Sequence, residues 1–165
     1  MLKDVILRPI RESDAASVQA VALEAWQYTY RGIFDQKFIE NFVNQNYAPD
    51  AILSLFAHME SGTMCFYVAE YEEQIIGFCN FGIHHQIAEL YRIYLLPDYI
   101  GKGIGHKLLE LGEKFLLDQG IQTYHCFVHN KNELGKRFYL RSGFEHIPKK
   151  DRDDEWFMEK RIAEK

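Results

Sequence analysis

Glu89-Leu90-Tyr91-Arg92-Ile93-Tyr94-Leu95-Leu96-Pro97-Asp98-Tyr99-Ile100-Gly101-Lys102-Gly103-Ile104-Gly105 reads as a strand, a break at Pro97, a Gly-x-Gly-x-Gly loop and the start of a helix. The first turn of a helix has N–H groups without intrahelical partners and carries about half a positive charge. Glycines let the backbone approach an anion with no Cβ in the way, so the loop suits a pyrophosphate. The same glycines also suit a plain tight turn, and the loop alone leaves both readings open. A Walker phosphate loop is excluded, because Lys102 is followed by Gly103 rather than Ser or Thr. A dinucleotide fingerprint fails too, since the third glycine comes one residue early and the loop follows a mid-chain strand.

Downstream, Ile104, Leu108, Leu111 and Phe115 recur at helical spacing, and Gly120 ends that helix. Ile121–Val128 predicts a strand. Asn130 and Glu133 form an Asn-x-x-Glu start for a helix through Ser142, with Gly143 ending it. Phe144–Ile147 and Glu155–Arg161 predict two last strands. Upstream, Met64–Tyr71 and Ile75–Ile83 flank the polar turn Glu72-Glu73-Gln74 and predict a hairpin leading into Ala88–Leu96. Residues 4–10 predict an edge strand, and Ser13 a cap for a helix that carries Trp26 and ends at Gly32. Two more helices are predicted at Gln36–Val43 and Pro49–Met59. The order β-α-α-α-β-β-β-α-β-α-β-β implies an α/β fold with a mixed sheet.

The chain has 165 residues, which predicts one domain spanning 1–165. Hydrophobic residues at 47% and charged residues at 26% exclude disorder as the general state. No apolar run approaches the roughly 18 residues of a membrane span. The start, Met1 to Pro9, reads as a strand rather than a signal peptide, which predicts a cytoplasmic protein. The net charge of −5 argues against a nucleic-acid binder and suits a cationic partner. Cys65, Cys79 and Cys126 are odd in number and far apart, so they predict buried thiols in a reducing compartment, with no disulfide framework. His125 and His129 share a strand face, but no third ligand is near in sequence, and no metal is expected.

A second segment, Val128 to Phe144, contains Asn132-x-x-Gly135-x-x-Phe138-Tyr139-x-x-x-Gly143-Phe144. With the glycine loop about 30 residues upstream, the chain resembles the GCN5-related N-acetyltransferase (GNAT) superfamily, closely over residues 64–162 and loosely over the N-terminal helices. The resemblance implies an α/β (α+β) fold with a mixed, mostly antiparallel central sheet flanked by helices. It implies direct transfer, in a ternary complex, of an acetyl group from acetyl-CoA to a primary amine. The amides of Ile100, Gly101, Lys102, Gly103, Ile104, Gly105 and His106 would then face the pyrophosphate. The strand Ile93-Tyr94-Leu95 would splay from its parallel neighbour, leaving Ile93 and Leu95 to pair with the pantetheine arm. The Ile93 N–H would polarise the thioester oxygen. Asn132 matches a position that contacts the CoA arm, and Tyr139 matches the tyrosine that protonates the leaving thiolate. Ile100 departs from the family, which has Gln or Arg there.

The resemblance also makes Glu89 the candidate general base, because the histone-acetylating branch of the family has a glutamate 16 positions before the last loop glycine and Glu89 stands at that spacing from Gly105. Strict alternation would put it on one face with Tyr91, Ile93 and Leu95. An alkylamine of pKa about 10.4 is only about 1 part in 2,500 neutral at pH 7, so a proton acceptor or water relay is needed. A solvent-facing strand acid is the competing reading, and His84 and His85 are alternative bases. The run Trp26 to Phe34 is similar to bacterial polyamine acetyltransferases of the PaiA type. That predicts a small-molecule polyamine such as spermidine as acceptor, bound by Glu24, Trp26 and Tyr30 through carboxylate pairing and cation–π contact. A protein N-terminus, a lysine, an amino sugar, a non-catalytic CoA-binding regulator and a plain interaction module stay open, as does a homodimer.

Overall fold

Among residues 3–163, which the computed structural model describes, seven strands form one sheet with a separate apolar core on each face. Met1, Leu2 and the last two residues of the expected 1–165 unit lie outside the described residues. The strands are β1 (Ile6–Pro9), β2 (Met64–Tyr71), β3 (Gln74–His84), β4 (Ile87–Leu95), β5 (Thr123–His129), β6 (Glu145–His146) and β7 (Glu155–Arg161). Their spatial order is β1-β2-β3-β4-β5-β7-β6, antiparallel throughout except for β4 and β5. A parallel pair needs a crossover, which is supplied by α5 (Ile104–Asp118). The mixed, mostly antiparallel sheet expected from the sequence is the observed one.

The helices α1 (Ala15–Tyr30), α2 (Gln36–Asn46), α3 (Pro49–Leu53) and α4 (Phe56–Glu60) precede the sheet's long hairpin, and α6 (Glu133–Arg141) follows β5. One core joins Val18, Ala22 and Trp26 of α1 and Ile39 and Val43 of α2 to Phe66, Val68 and Phe78 on one sheet face. On the other face, Ile104, Leu108 and Leu116 of α5 meet Cys79, Phe81, Leu90, Tyr124, Cys126 and Val128. The alternation Tyr124, Cys126, Val128 turns His125, Phe127 and His129 to the α1 side. The three cysteines are buried free thiols. No helix among the described residues is long and apolar enough to cross a membrane.

Local chemistry moved three expected features. Ser13 does not cap α1: it lies inside a 3-10 turn, Glu12–Asp14. That turn is tied by the Asp14 carboxylate, which accepts the Arg11 N–H at 2.7 Å and two Arg8 N–H groups at 2.8 and 3.0 Å. The helix expected over Pro49–Met59 is two short ones, because Ser54 Oγ donates to the Ala51 carbonyl at 2.6 Å and Leu55 N–H donates to Ile52, tightening the turn. The cap of α6 is Asn132, whose Oδ1 accepts the Gly135 N–H at 2.8 Å, and not Asn130. The Asn130 N–H instead donates to the Asp154 carbonyl at 2.7 Å.

Candidate active site

β4 and β5 pair only at Ala88↔Tyr124 and Glu89↔His125, and beyond those positions the strands part. A β-bulge accompanies the split. Phe81 pairs with Leu90 but Asn80 pairs with Arg92, so Tyr91 is the extra residue and the strand bends there. The Leu96 N–H donates to the Ile76 carbonyl at 2.8 Å, on the β3 side. Alternation along the strand then turns the N–H and C=O groups of Ile93 and Leu95 away from β3, into the split. A cleft forms there, lined by Leu90 to Leu95, Phe127, Val128, Tyr30, Asn132, Phe138 and Tyr139.

The bulge also corrects the expected face of Glu89. Ala88, Leu90, Ile93 and Leu95 all pack on the α5 side, so the extra residue shifts the alternation by one. Glu89 therefore shares the α1 face with Tyr94, opposite to Ile93 and Leu95. Its Oε1 lies 3.2 Å from His125 Nε2.

The glycine loop adjoins the open end of the split. Gly101 and Gly103 have φ of +80° and +85°, and nothing lies within 4 Å of where a Cβ would be. Gly103 caps α5 in the left-handed region. Among the described residues, no backbone carbonyl accepts the N–H groups of Gly101 to His106. Ile100 differs from the expectation: its N–H donates to the Pro97 carbonyl at 3.2 Å, closing a 3-10 turn, and its side chain lines the cleft instead. Lys102 and His106 are exposed beside the loop, and Ile104 is buried under it. Gly105 serves packing. A Cβ there would come 2.9 Å from Phe138 Cε2, so the missing side chain seats the Phe138 ring against α5.

On α6, the Tyr139 ring packs against Phe144 at 5.2 Å and Phe138 at 5.5 Å, and its hydroxyl lies beside the Cys126 thiol. Burial pushes the Tyr139 hydroxyl well above its ordinary value of 10. Burial likewise pushes the Cys126 thiol up, with the Glu89 charge adding to it. The Asn132 Oδ1 is engaged by the helix cap, and its amide nitrogen is left to act on the Tyr30 hydroxyl.

The α1 residues divide. Tyr30 lines the cleft, and its hydroxyl lies 3.3 Å from that of Tyr94. Burial raises the pKa of both hydroxyls. Trp26 is buried behind them, with rings 4.3 Å from Tyr30 and 4.2 Å from Phe42. Glu24 is not brought to the cleft: it edges a separate hollow with Arg8, Arg11 and Glu70. His84 and His85 stand at the tip of the β3–β4 hairpin, beyond the closed end of the split. His129 is separate from His125: its Nδ1 accepts the Lys131 N–H at 3.1 Å and its ring meets Phe34 edge-on. The partnership of Glu89 with His125 had no signal in the sequence, because it joins two strands across a helix and depends on where the strands part.

A sheet split between two parallel strands, with a glycine-rich helix start at its open end, defines an acetyltransferase fold. Residues 23–144 match the acetyltransferase (GNAT) family, and the chain belongs to that family of enzymes. It is 32% identical over 139 residues to spermidine N(1)-acetyltransferase of Thermoplasma acidophilum, covering 84% of this chain and 86% of that one. The crystal structure of the PaiA N-acetyltransferase from Thermoplasma acidophilum in complex with coenzyme A superimposes with a TM-score of 0.91 at 31% identity, over 96% of this chain and 99% of that one. A GNAT-family acetyltransferase from Staphylococcus aureus shares the fold at a TM-score of 0.76 and 17% identity, over 96% of this chain and 99% of that one.

Proposed function

We propose that this chain, acting as one catalytic domain over 1–165, transfers the acetyl group of acetyl-CoA directly to a primary amine of a small polyamine such as spermidine. The observation that carries this reading is the split: a cleft with unpaired backbone groups on one wall and a free-amide loop at its mouth. Likeness to the Thermoplasma spermidine acetyltransferase supports the acceptor class, and the coenzyme A bound by the PaiA crystal structure supports the donor.

The residues present fit a CoA thioester, which supplies the activated acetyl group. The amides of Gly101 to His106 would hold its diphosphate at the α5 N-terminus. Ile93 and Leu95 would pair with the amide-bearing arm as a strand would, in the place β5 leaves open. The Ile93 N–H would also polarise the thioester carbonyl. Asn132 and Tyr30 would edge the arm, while Glu89, at the closed end of the split and outside the cleft lining, would take the ammonium proton through a water. Tyr139 would return a proton to the departing sulfur. Its raised pKa is no obstacle, because the same burial that raises Tyr139 raises the Cys126 thiol alongside it. A thiolate released into that place would be destabilised in the same way and would take the phenol proton readily.

The test is an acceptor screen that detects released CoA thiol, with spermidine, spermine, free lysine, aminoglycosides and N-terminal peptides compared side by side. Spermidine or spermine should give the highest kcat/KM. Robust turnover of a peptide with none of spermidine would replace the polyamine by a protein amine.

A further inference from the structure

Glu89 and His125 are the last cross-strand pair before β4 and β5 part, so they stand at the closed end of the split. His125 Nε2 lies 3.2 Å from Glu89 Oε1, and the two side chains are 16% and 22% exposed. Both face the α1 side of the sheet, near the exposed Tyr91 and Ile87. The His125 ring is held flat against Phe157, at 4.7 Å and 17°, and edge-on to Phe127 at 5.5 Å. A clamped ring in contact with one carboxylate oxygen limits the directions open to the other.

We propose that His125 is the positioning residue of the acetyl-transfer reaction: its Nε2, in contact with Glu89 Oε1 at 3.2 Å, orients that carboxylate so that the second oxygen meets the acceptor ammonium. The inference rests on the acetyl-transfer reading and deepens it. In the step concerned, one N–H bond of the ammonium breaks and its electron pair stays on nitrogen. An O–H bond forms on Glu89, directly or through one water. The charged groups around the ring are Glu89 on β4, Glu159 opposite it on β7, and Lys150 and Arg152, which lie over Phe157 and Phe127. Glu159 is 3.8 Å from Lys150 Nζ, which leaves Glu89 as the carboxylate in contact with His125.

The experiment compares wild type with His125→Phe, which keeps a flat ring on Phe157, His125→Gln, which keeps a donor, Glu89→Gln, and the double variant Glu89→Gln/His125→Phe. It measures kcat and KM for both substrates from about pH 6 to 10, CoA affinity by calorimetry, and the melting temperature. His125→Phe should lower kcat about 10- to 100-fold at neutral pH, the scale of a misplacement of about 1 Å. Its KM for acetyl-CoA and its melting temperature should stay near wild type. The loss should shrink as pH approaches the amine pKa of about 10.4, where less proton removal is needed. His125→Gln should recover most of the rate, and the double variant should be no slower than Glu89→Gln, since both act through one group. Wild-type rates in His125→Phe, or losses that multiply in the double variant, would overturn the assignment. If His125→Phe fails to fold, His125→Gln at or below the rate of Glu89→Gln does the same. A wild-type protein that binds CoA and acetylates no amine would instead retire the acetyl-transfer reading, a result distinct from an active enzyme indifferent to His125.

Discussion

Replacing Tyr139 by phenylalanine removes one oxygen and leaves the ring in place, so it separates catalysis from packing. The ring's contacts with Phe144 at 5.2 Å and Phe138 at 5.5 Å persist in the variant. The hydroxyl's neighbour is the Cys126 thiol, a weak partner, so the stability change should stay within about 1 kcal/mol. Loss of a placed general acid costs about 10²- to 10⁴-fold in rate, or about 3–5 kcal/mol of barrier. Catalysis should therefore fall far more than stability. Thiol-release kinetics, calorimetry with acetyl-CoA and a thermal melt on the same preparation give kcat, affinity and stability together. The expected outcome is a kcat lower by about 100-fold or more with affinity within about threefold of wild type. Because burial raises the Tyr139 pKa above 10, the phenol keeps its proton across the working range. Wild-type kcat should thus show no alkaline decline from this group below about pH 10. A rate within threefold of wild type (about 0.7 kcal/mol), or a melting temperature that falls in step with activity, would make Tyr139 a packing residue only.

At Gly103, with φ of +85°, Gly103→Ala costs about 1–2 kcal/mol of backbone strain and should weaken CoA binding measured by calorimetry. Gly105→Val drives methyls into Phe138 and should weaken the same binding by displacing that ring from the cleft wall. At Gly112 an added Cβ would run into the Phe81 ring, so Gly112→Ala should cost about 1–3 kcal/mol, read as a lower melting temperature. Burial alone would raise the Asp14 carboxyl, but the Arg8 hydrogen bonds and the Arg11 N–H outweigh it and hold it below 3.8. A depressed carboxylate stabilises the fold above its unfolded pKa and loses that contribution as pH falls through the folded value. Asp14→Asn should therefore cost about 1.5–3 kcal/mol at neutral pH and progressively less in acid, measured by urea melts across pH.

The succession of elements and the glycine loop were legible in the sequence because both follow from local chemistry. Aromatic and β-branched residues on either side of the polar turn Glu72-Glu73-Gln74 mark the hairpin strands, and helical spacing after Gly103 fixes α5. Met64–Tyr71 and Glu155–Arg161 coincide with observed strands for that reason. The face of Glu89 was not legible, since one extra residue at Tyr91 inverts every earlier side chain and no residue type announces a bulge. Glu24 and Trp26 misled in a different way. Both sit on α1, but a helix presents its residues over a full circle, and only the packing partner decides which reach the cleft. Trp26 turns to Phe42 and the core, and Glu24 to the Arg8 hollow, while Tyr30, one turn further on, reaches the cleft. The bulge that hid the face of Glu89 also gives that residue its place. A strand of unbroken alternation would set Glu89 on the α5 side with Ile93 and Leu95, among buried apolar side chains. The extra residue puts the carboxylate on the opposite face from Ile93 and Leu95, next to His125 and near the exposed Tyr91. The two faces thereby differ in character, with Cys126 packed among apolar residues on the α5 side and the carboxylate proposed as the proton acceptor on the α1 side.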